Sequence, residues 1–311
     1  MEFFSHQTSY PFMATRKVWY TLSALLMIVS IGSFFMRGVN LAIDFTGGVS
    51  ANTTFSRAAD VDQVRTRLVA AGFHDPSVQI FGTSRDINIR LPPDPKQDAN
   101  AVRTQLEGVL RGIDAGAQVV QLEVVGPQVG NELKWSAFEA LGFTLFGIFL
   151  YIAFRFHTWR LSSGAILAVL HDPILVLGFF SITQMSFDLS VVAAMLAVIG
   201  YSLNDTVVVF DRIRERFEGN RRSPPDVVLD QSINQTLSRT IMTKVVTSIV
   251  VVALLFLGGP ALKGFSAALL IGIIAGTYSS IYISSAIALD FGLTAEHLFP
   301  SVKKAALDHL P

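Results

Sequence analysis

The sequence predicts an α-helical membrane protein of six spanning helices, with one small α+β domain inserted between the first and second. Three observations carry this. The 311-residue chain is 51% hydrophobic and only 15% charged, against about 25% charged in soluble domains, and its mean hydropathy is +0.49. Six apolar runs are each about long enough to cross ~30 Å of hydrocarbon at ~1.5 Å per residue. The stretch 37–134 breaks this pattern with short alternating and β-branched runs separated by amphipathic ones.

The first run, 18–36, follows Arg16 and Lys17. It exceeds a signal peptide's apolar core and lacks a clean A-x-A cleavage site, so it reads as an uncleaved anchor. The others are 135–154, 161–183, 189–210, 241–257 and 265–291. Short connections set orientation through their Lys and Arg. Arg16 and Lys17 precede the first helix, Arg155 and Arg160 separate the second and third, six Arg lie between Asp211 and Thr240, and Lys303 and Lys304 close the chain. The opposite connections carry only Lys263. The termini 1–17 and 292–311 and the connection 211–240 are therefore expected in the cytoplasm, and the insert 37–134 on the outer side of the membrane. Within that connection, Ser223-Pro224-Pro225-Asp226 is a helix start, and Leu229, Ile233 and Leu237 give a short helix expected to lie on the bundle or in the interface.

In the insert, strands are expected at 49–55, 77–81, 86–91 and 119–125, and helices at 61–71 and 99–110. The order β-α-β-β-α-β is ferredoxin-like. Pro92, Pro93 and Pro95 place a loop over 92–98. Two hinge-like stretches bracket the insert: LAIDFTGG, with Asp44, Gly47 and Gly48, and VGPQVGNEL, with Gly126, Pro127 and Gly130. They read either as boundary loops or as elements that transmit motion.

Composition excludes several classes. Formal net charge is zero, so no global basic field attracts nucleic acid. The absence of cysteine removes disulfides, thiolate metal sites and cysteine catalysis. No G-x-S-x-G elbow, H-E-x-x-H or P-loop occurs, and no metal or cofactor is expected beyond protons.

The candidate site lies in VIGYSLNDTVVVFDRIRE, where Asp205 sits beside Asn204 and Thr206 in an apolar helix. An ionisable residue at bilayer depth costs about 2.5 to 3.5 kcal/mol and marks function by default. A carboxylate desolvated without a partner binds protons more readily, and a nearby cation holds it ionised, so a mobile cation would switch it. Arg212 lies seven residues, or ~10 Å, along the helix, too far to pair. Arg239 is the favoured cation; Lys244, five positions deeper, is the weaker candidate because an ammonium is more strongly hydrated. His171-Asp172-Pro173 forms a second polar group near mid-bilayer, where Pro173 opens the backbone ladder. Gly264, Ala268, Gly272, Gly276, Ser280 and Ser284 make a small-residue packing stripe in the sixth helix.

Taken together, GYSLNDTVVVFDRIRE, AIDFTGG, VGPQVGNEL, HDP, NQTLSRTIMT and GTYSSIYIS, in this order, resemble the SecF family of bacterial protein-translocase subunits. The resemblance runs from about residue 16 to 287. It implies an RND-like half-transporter that pairs with SecD, associates with the SecYEG channel and with YajC and YidC, and uses proton motive force in the inner membrane to promote late translocation of unfolded polypeptides. It places the family's membrane carboxylate on Asp205 and its essential arginine on Arg239. The competing reading is a non-coupled subunit that stabilises the assembly. An intramembrane hydrolase built on His171 and Asp172 lacks a nucleophile.

Overall fold

The structure, a computed structural model, describes residues 8–94, 99–156 and 158–299. The predicted tip loop is described as far as Asp94, and Lys303, Lys304 and the tail beyond 299 lie outside the described residues. Six helices are long and apolar enough to cross a membrane: α1 (Arg16–Arg37), α5 (Pro127–Phe156), α6 (Trp159–Thr183), α7 (Leu189–Gly219), α8 (Pro225–Leu257) and a composite sixth, Ala261–Asp290. The sixth is built from α9 (Gly259–Tyr278), a π-helical turn over Ser279–Ile283 and α10 (Ser284–Asp290). A short α11 (Ala295–Leu298) follows. α6, α7 and the sixth helix are the enclosed ones, whereas α1, α5 and α8 keep most of their apolar surface facing outward. That outer surface suits lipid or another membrane chain, since hydrocarbon solvates apolar side chains as well as a protein core does.

Three helices differ from the sequence expectation. α5 begins at Pro127, so Pro127 and Gly130 are helical rather than loop residues; proline at a first turn lacks only a donor that would be unpaired there anyway. α7 continues nine residues past the apolar run, through Gly219. The short helix expected to lie on the bundle is instead the first part of α8, which runs unbroken for 33 residues. No glycine or proline interrupts 226–257, and the polar turns continue the same ladder. The chain's start locks this extension in place. Met13 N–H donates to Asp230 at 2.8 Å and Tyr10 N–H to Asn234 Oδ1 at 3.0 Å, while Phe12 and Met13 pack into a core shared with Phe210, Phe217 and Leu229.

The insert comprises a single-turn α2 (Ile43–Thr46), then β1 (Gly48–Thr54), α3 (Val61–Ala70), β2 (Ser77–Ile80), β3 (Asp86–Leu91), α4 (Ala99–Arg111) and β4 (Gln118–Val125). The strands form one antiparallel sheet in the order β2-β3-β1-β4. Strand alternation sends Val49, Ala51, Ile87 and Ile89 to one face, where Val64 and Leu68 of α3 and Val102, Leu106 and Leu110 of α4 cover them. Asp60 starts α3 by accepting from the Asp62 and Gln63 N–H groups. The other face is polar and uncovered by helices. Asn88 Nδ2 donates to Ser50 and Asn52, and a cavity of about 640 Å³ separates this face from the insert-side ends of the membrane helices.

Several hydrogen bonds tie together the insert, the segment that follows α1 and the bundle. Arg90 on β3 donates to Leu41 O at 2.9 Å and Gln79 Oε1 at 3.1 Å, and burial lowers its proton affinity below the usual arginine value. Residues 40–42 also pair with Phe187 in the α6–α7 loop, Ala42 N–H donating to Phe187 O at 2.9 Å and Phe187 N–H to Asn40 O at 2.8 Å. The two glycine stretches meet backbone to backbone. A Cβ on Gly130 would stand 2.8 Å from Gly47 N, and one on Gly47 2.8 Å from Pro127 Cα. Gly48 has φ +115° and would place a Cβ 2.3 Å from Leu91 O. Gly48→Ala is accordingly expected to destabilise the insert by about 2 kcal/mol or more. Protection of the β1 and β3 amides from hydrogen exchange in the intact protein checks this, and unchanged protection would refute it.

Candidate functional site

α7 is set in place at its start by two carboxylates. Asp188 caps it, accepting from Val191 N–H at 3.0 Å and Ser190 Oγ at 2.6 Å, and Asp44 Oδ2 accepts from Leu189 N–H at 2.9 Å. Negative charge at a helix N-terminus is favourable. Asp44, expected as a hinge residue, therefore holds the start of the helix that carries Asp205.

Asp205 is 6% exposed, and Lys244 of α8, 4% exposed, faces it. The Lys244 Nζ to Asp205 Oδ2 distance is 2.8 Å. The approach is a charge contact off the line of a good hydrogen bond, so both atoms keep unused donor or acceptor capacity. Lys244 Nζ also sits 4.1 Å from the centre of the Tyr201 ring, a cation–π contact. Tyr201, one turn before Asp205, is tied to α8 because its hydroxyl donates to Thr243 O at 2.8 Å and lies 2.7 Å from Thr247 Oγ1. Enclosing two charges costs several kcal/mol per ion, which their attraction offsets only while both are present.

The pairing corrects the expected choice of cation. Lys244, not Arg239, meets Asp205; Arg239 is exposed on α8, five residues or ~7.5 Å away along the axis. Its side chain makes no ion pair or hydrogen bond among the described residues. Hydration argued against an ammonium, but the Tyr201 ring and the Asp205 carboxylate replace the water it loses. Asn204 is also not part of the cluster, for it is exposed, turned ~100° from Asp205 on the helix. Thr206 is buried and its hydroxyl donates to Ser202 O at 3.3 Å.

The second polar group lies one turn from the first. Asp172 is fully enclosed; its Oδ1 is 3.1 Å from His171 Nδ1, and its Oδ2 accepts from Ser202 Oγ at 2.6 Å and Ser279 Oγ at 3.1 Å. Pro173 sits inside α6 without ending it. The stripe of the sixth helix lies against α7: a Cβ on Gly264, Gly272 or Gly276 would meet Val191, Val198 or Ser202 at 3.1, 2.3 and 2.9 Å. Ser202 and Ser279 escaped the sequence reading. Ser202 is three residues before Asp205, a spacing that puts it on the same helix face.

No group of three or more His, Asp or Glu residues suited to a metal occurs among the described residues. Six apolar helices around a buried carboxylate–ammonium pair, with a folded insert gripping the charged helix, define a polytopic membrane protein of the transport class. The comparisons agree. The family described as "Protein export membrane protein SecD/SecF, C-terminal" matches residues 105–294, and the "SecD/SecF GG Motif" matches 32–59. The chain belongs to the SecF family of protein translocase subunits. It is 45% identical to protein translocase subunit SecF of Haemophilus influenzae, over 96% of this chain and 91% of that one, and 44% identical to that of Pseudomonas aeruginosa, over 96% and 97%. The crystal structure of SecDF, a translocon-associated membrane protein from Thermus thermophilus, superposes with a TM-score of 0.83 at 36% identity, over 91% of this chain. A SecDF structure in a super-membrane-facing form gives 0.69 at 37% identity, over 93%. This chain spans 39% of the length of each SecDF chain.

Proposed function

We propose that this chain is the proton-coupled SecF-type half of a two-part translocase subunit in the bacterial inner membrane. It pairs with SecD, acts beside SecYEG with YajC and YidC, and promotes late translocation and release of unfolded polypeptides on the periplasmic side. The observation that carries the reading is the enclosed Asp205–Lys244 pair on the helix whose outer end is held by Asp44 and Asp188. In the low-dielectric bundle a proton on Asp205 cancels its attraction for Lys244, which releases α7 from α8. The joint of Asp44, Gly47, Gly48, Gly126, Pro127 and Gly130 then passes a change in α7 to the insert. The order β2-β3-β1-β4 supports a ferredoxin-like insert, placed outside the cell with both termini inside. Arg239 serves as a second cation, outward-facing on α8 and open to a partner helix.

Proton flux in vesicles holding this chain with SecD tests the coupling. Asp205→Asn is expected to abolish flux while the complex still assembles. Flux equal to that of the wild type would favour the non-coupled stabilising subunit.

A further inference from the structure

The Asp205–Lys244 reading leaves a second pair of enclosed titratable groups unused. Asp172 faces three hydrogen-bonding groups, the His171 ring and the hydroxyls of Ser202 and Ser279. The His171 tautomer follows from this contact: the proton sits on Nδ1 and points at the carboxylate. That leaves Nε2 as a bare acceptor, buried and without a hydrogen-bond partner in the structure. In this state the cluster holds a net charge of −1 in a water-poor interior. One proton on Nε2 turns it into a neutral ion pair without disturbing any of its hydrogen bonds.

A second observation points the same way. The sixth helix widens into a π-turn over Ser279–Ile283, and Ser279 at its start is one of the three donors. Such turns recur at functional sites. The titratable groups around the cluster are Tyr278 of α9, whose ring lies 5.8 Å from that of His171, and Asp205 of α7, with Lys244 of α8 behind it. From α1, Trp19 offers the Tyr278 hydroxyl a carbonyl and no charge. Ser202 joins the two centres, donating from its hydroxyl to Asp172 and accepting from Thr206 at its carbonyl, three residues before Asp205.

We infer that His171 and Asp172, held by Ser202 and Ser279, form a second proton-binding site that titrates as one unit beside the Asp205–Lys244 pair. The inference deepens the proton-coupling reading and rests on it for its role in the cell. The site takes up one proton at His171 Nε2 from water and returns it there, so no bond other than N–H forms or breaks.

Infrared titration of the full chain reconstituted with SecD, with isotope-labelled histidine, tests it. A histidine signal that changes between pH 5 and pH 8 is expected, lost in His171→Gln and lost in the isosteric Asp172→Asn. In Ser202→Ala, which keeps both groups, its midpoint is expected to rise by about one pH unit, because a donor to the carboxylate is gone. A His171 signal that is constant across this range, or that titrates unchanged in Asp172→Asn, would overturn the inference. Asp205→Asn separates the two readings. If flux survives in that variant while His171 still titrates, the coupling assignment fails and the second site stands.

Discussion

Asp205→Asn is expected to cut secretion by up to roughly fiftyfold. One charge crossing 100 mV is worth about 2.3 kcal/mol, and each ~1.4 kcal/mol is tenfold. The substitution preserves shape and removes only the titratable charge. It also strands Lys244, 4% exposed, beside a neutral amide, and an unpaired buried charge costs about 3 to 5 kcal/mol. Lost export alone would thus leave a folding defect as an explanation. The double variant Asp205→Asn with Lys244→Met removes that ambiguity. Replacing a buried ion pair by neutral groups is often neutral or stabilising, so its Tm is expected near that of the parent while export stays low. Pulse-chase secretion and thermal unfolding of the purified protein measure the two arms. Restored export in the double variant would show that the pair serves only to hold the bundle together.

Lys244→Met alone should have the second largest effect, because it leaves Asp205 without its cation. A loss of about 3 to 5 kcal/mol in stability is expected. Lys244→Arg restores the charge but asks the site to hold a planar fork beside the Tyr201 ring, and partial export is expected. Arg239→Ala offers the contrast. Its exposed side chain has no partner within the described residues, so stability should change by less than ~0.5 kcal/mol even though export falls if Arg239 works against SecD. Equal stability losses in Lys244→Met and Arg239→Ala would contradict the pairing seen here.

Much of this architecture is legible in the sequence because lipid imposes long apolar runs, and because the strands of the insert alternate cleanly on β1 and β3. Helix ends are less legible. α5 and α8 begin well before their apolar runs, at Pro127 and Pro225, since hydropathy marks what lies in hydrocarbon and not where the hydrogen-bond ladder starts. Asp205 stands out as a lone acid in an apolar run, yet its partner does not. Sequence neighbours suggested Asn204, but helix geometry turns that residue outward and brings in Ser202 and Tyr201 from the preceding turn. Intrinsic hydration ranks Lys244 below Arg239, but it is a property of the free side chain that the Tyr201 ring of another helix changes.

The unbroken length of α8 gives the bundle a second place to act. At ~1.5 Å per residue its 33 residues span about 50 Å, well beyond the ~30 Å of hydrocarbon. Lys244 divides this rod unequally, with nineteen residues on the Pro225 side, or ~28 Å. A tilt of ~10° about Lys244 would sweep the Pro225 end through ~5 Å, by the same rise per residue. Tyr10 and Met13, bonded to that arm through Asn234 and Asp230, would travel with it. Under the proposed coupling, such a tilt would carry a charge change in the core to the arginine-rich connection as well as to the insert, and the molecule would work as a rocker with two ends.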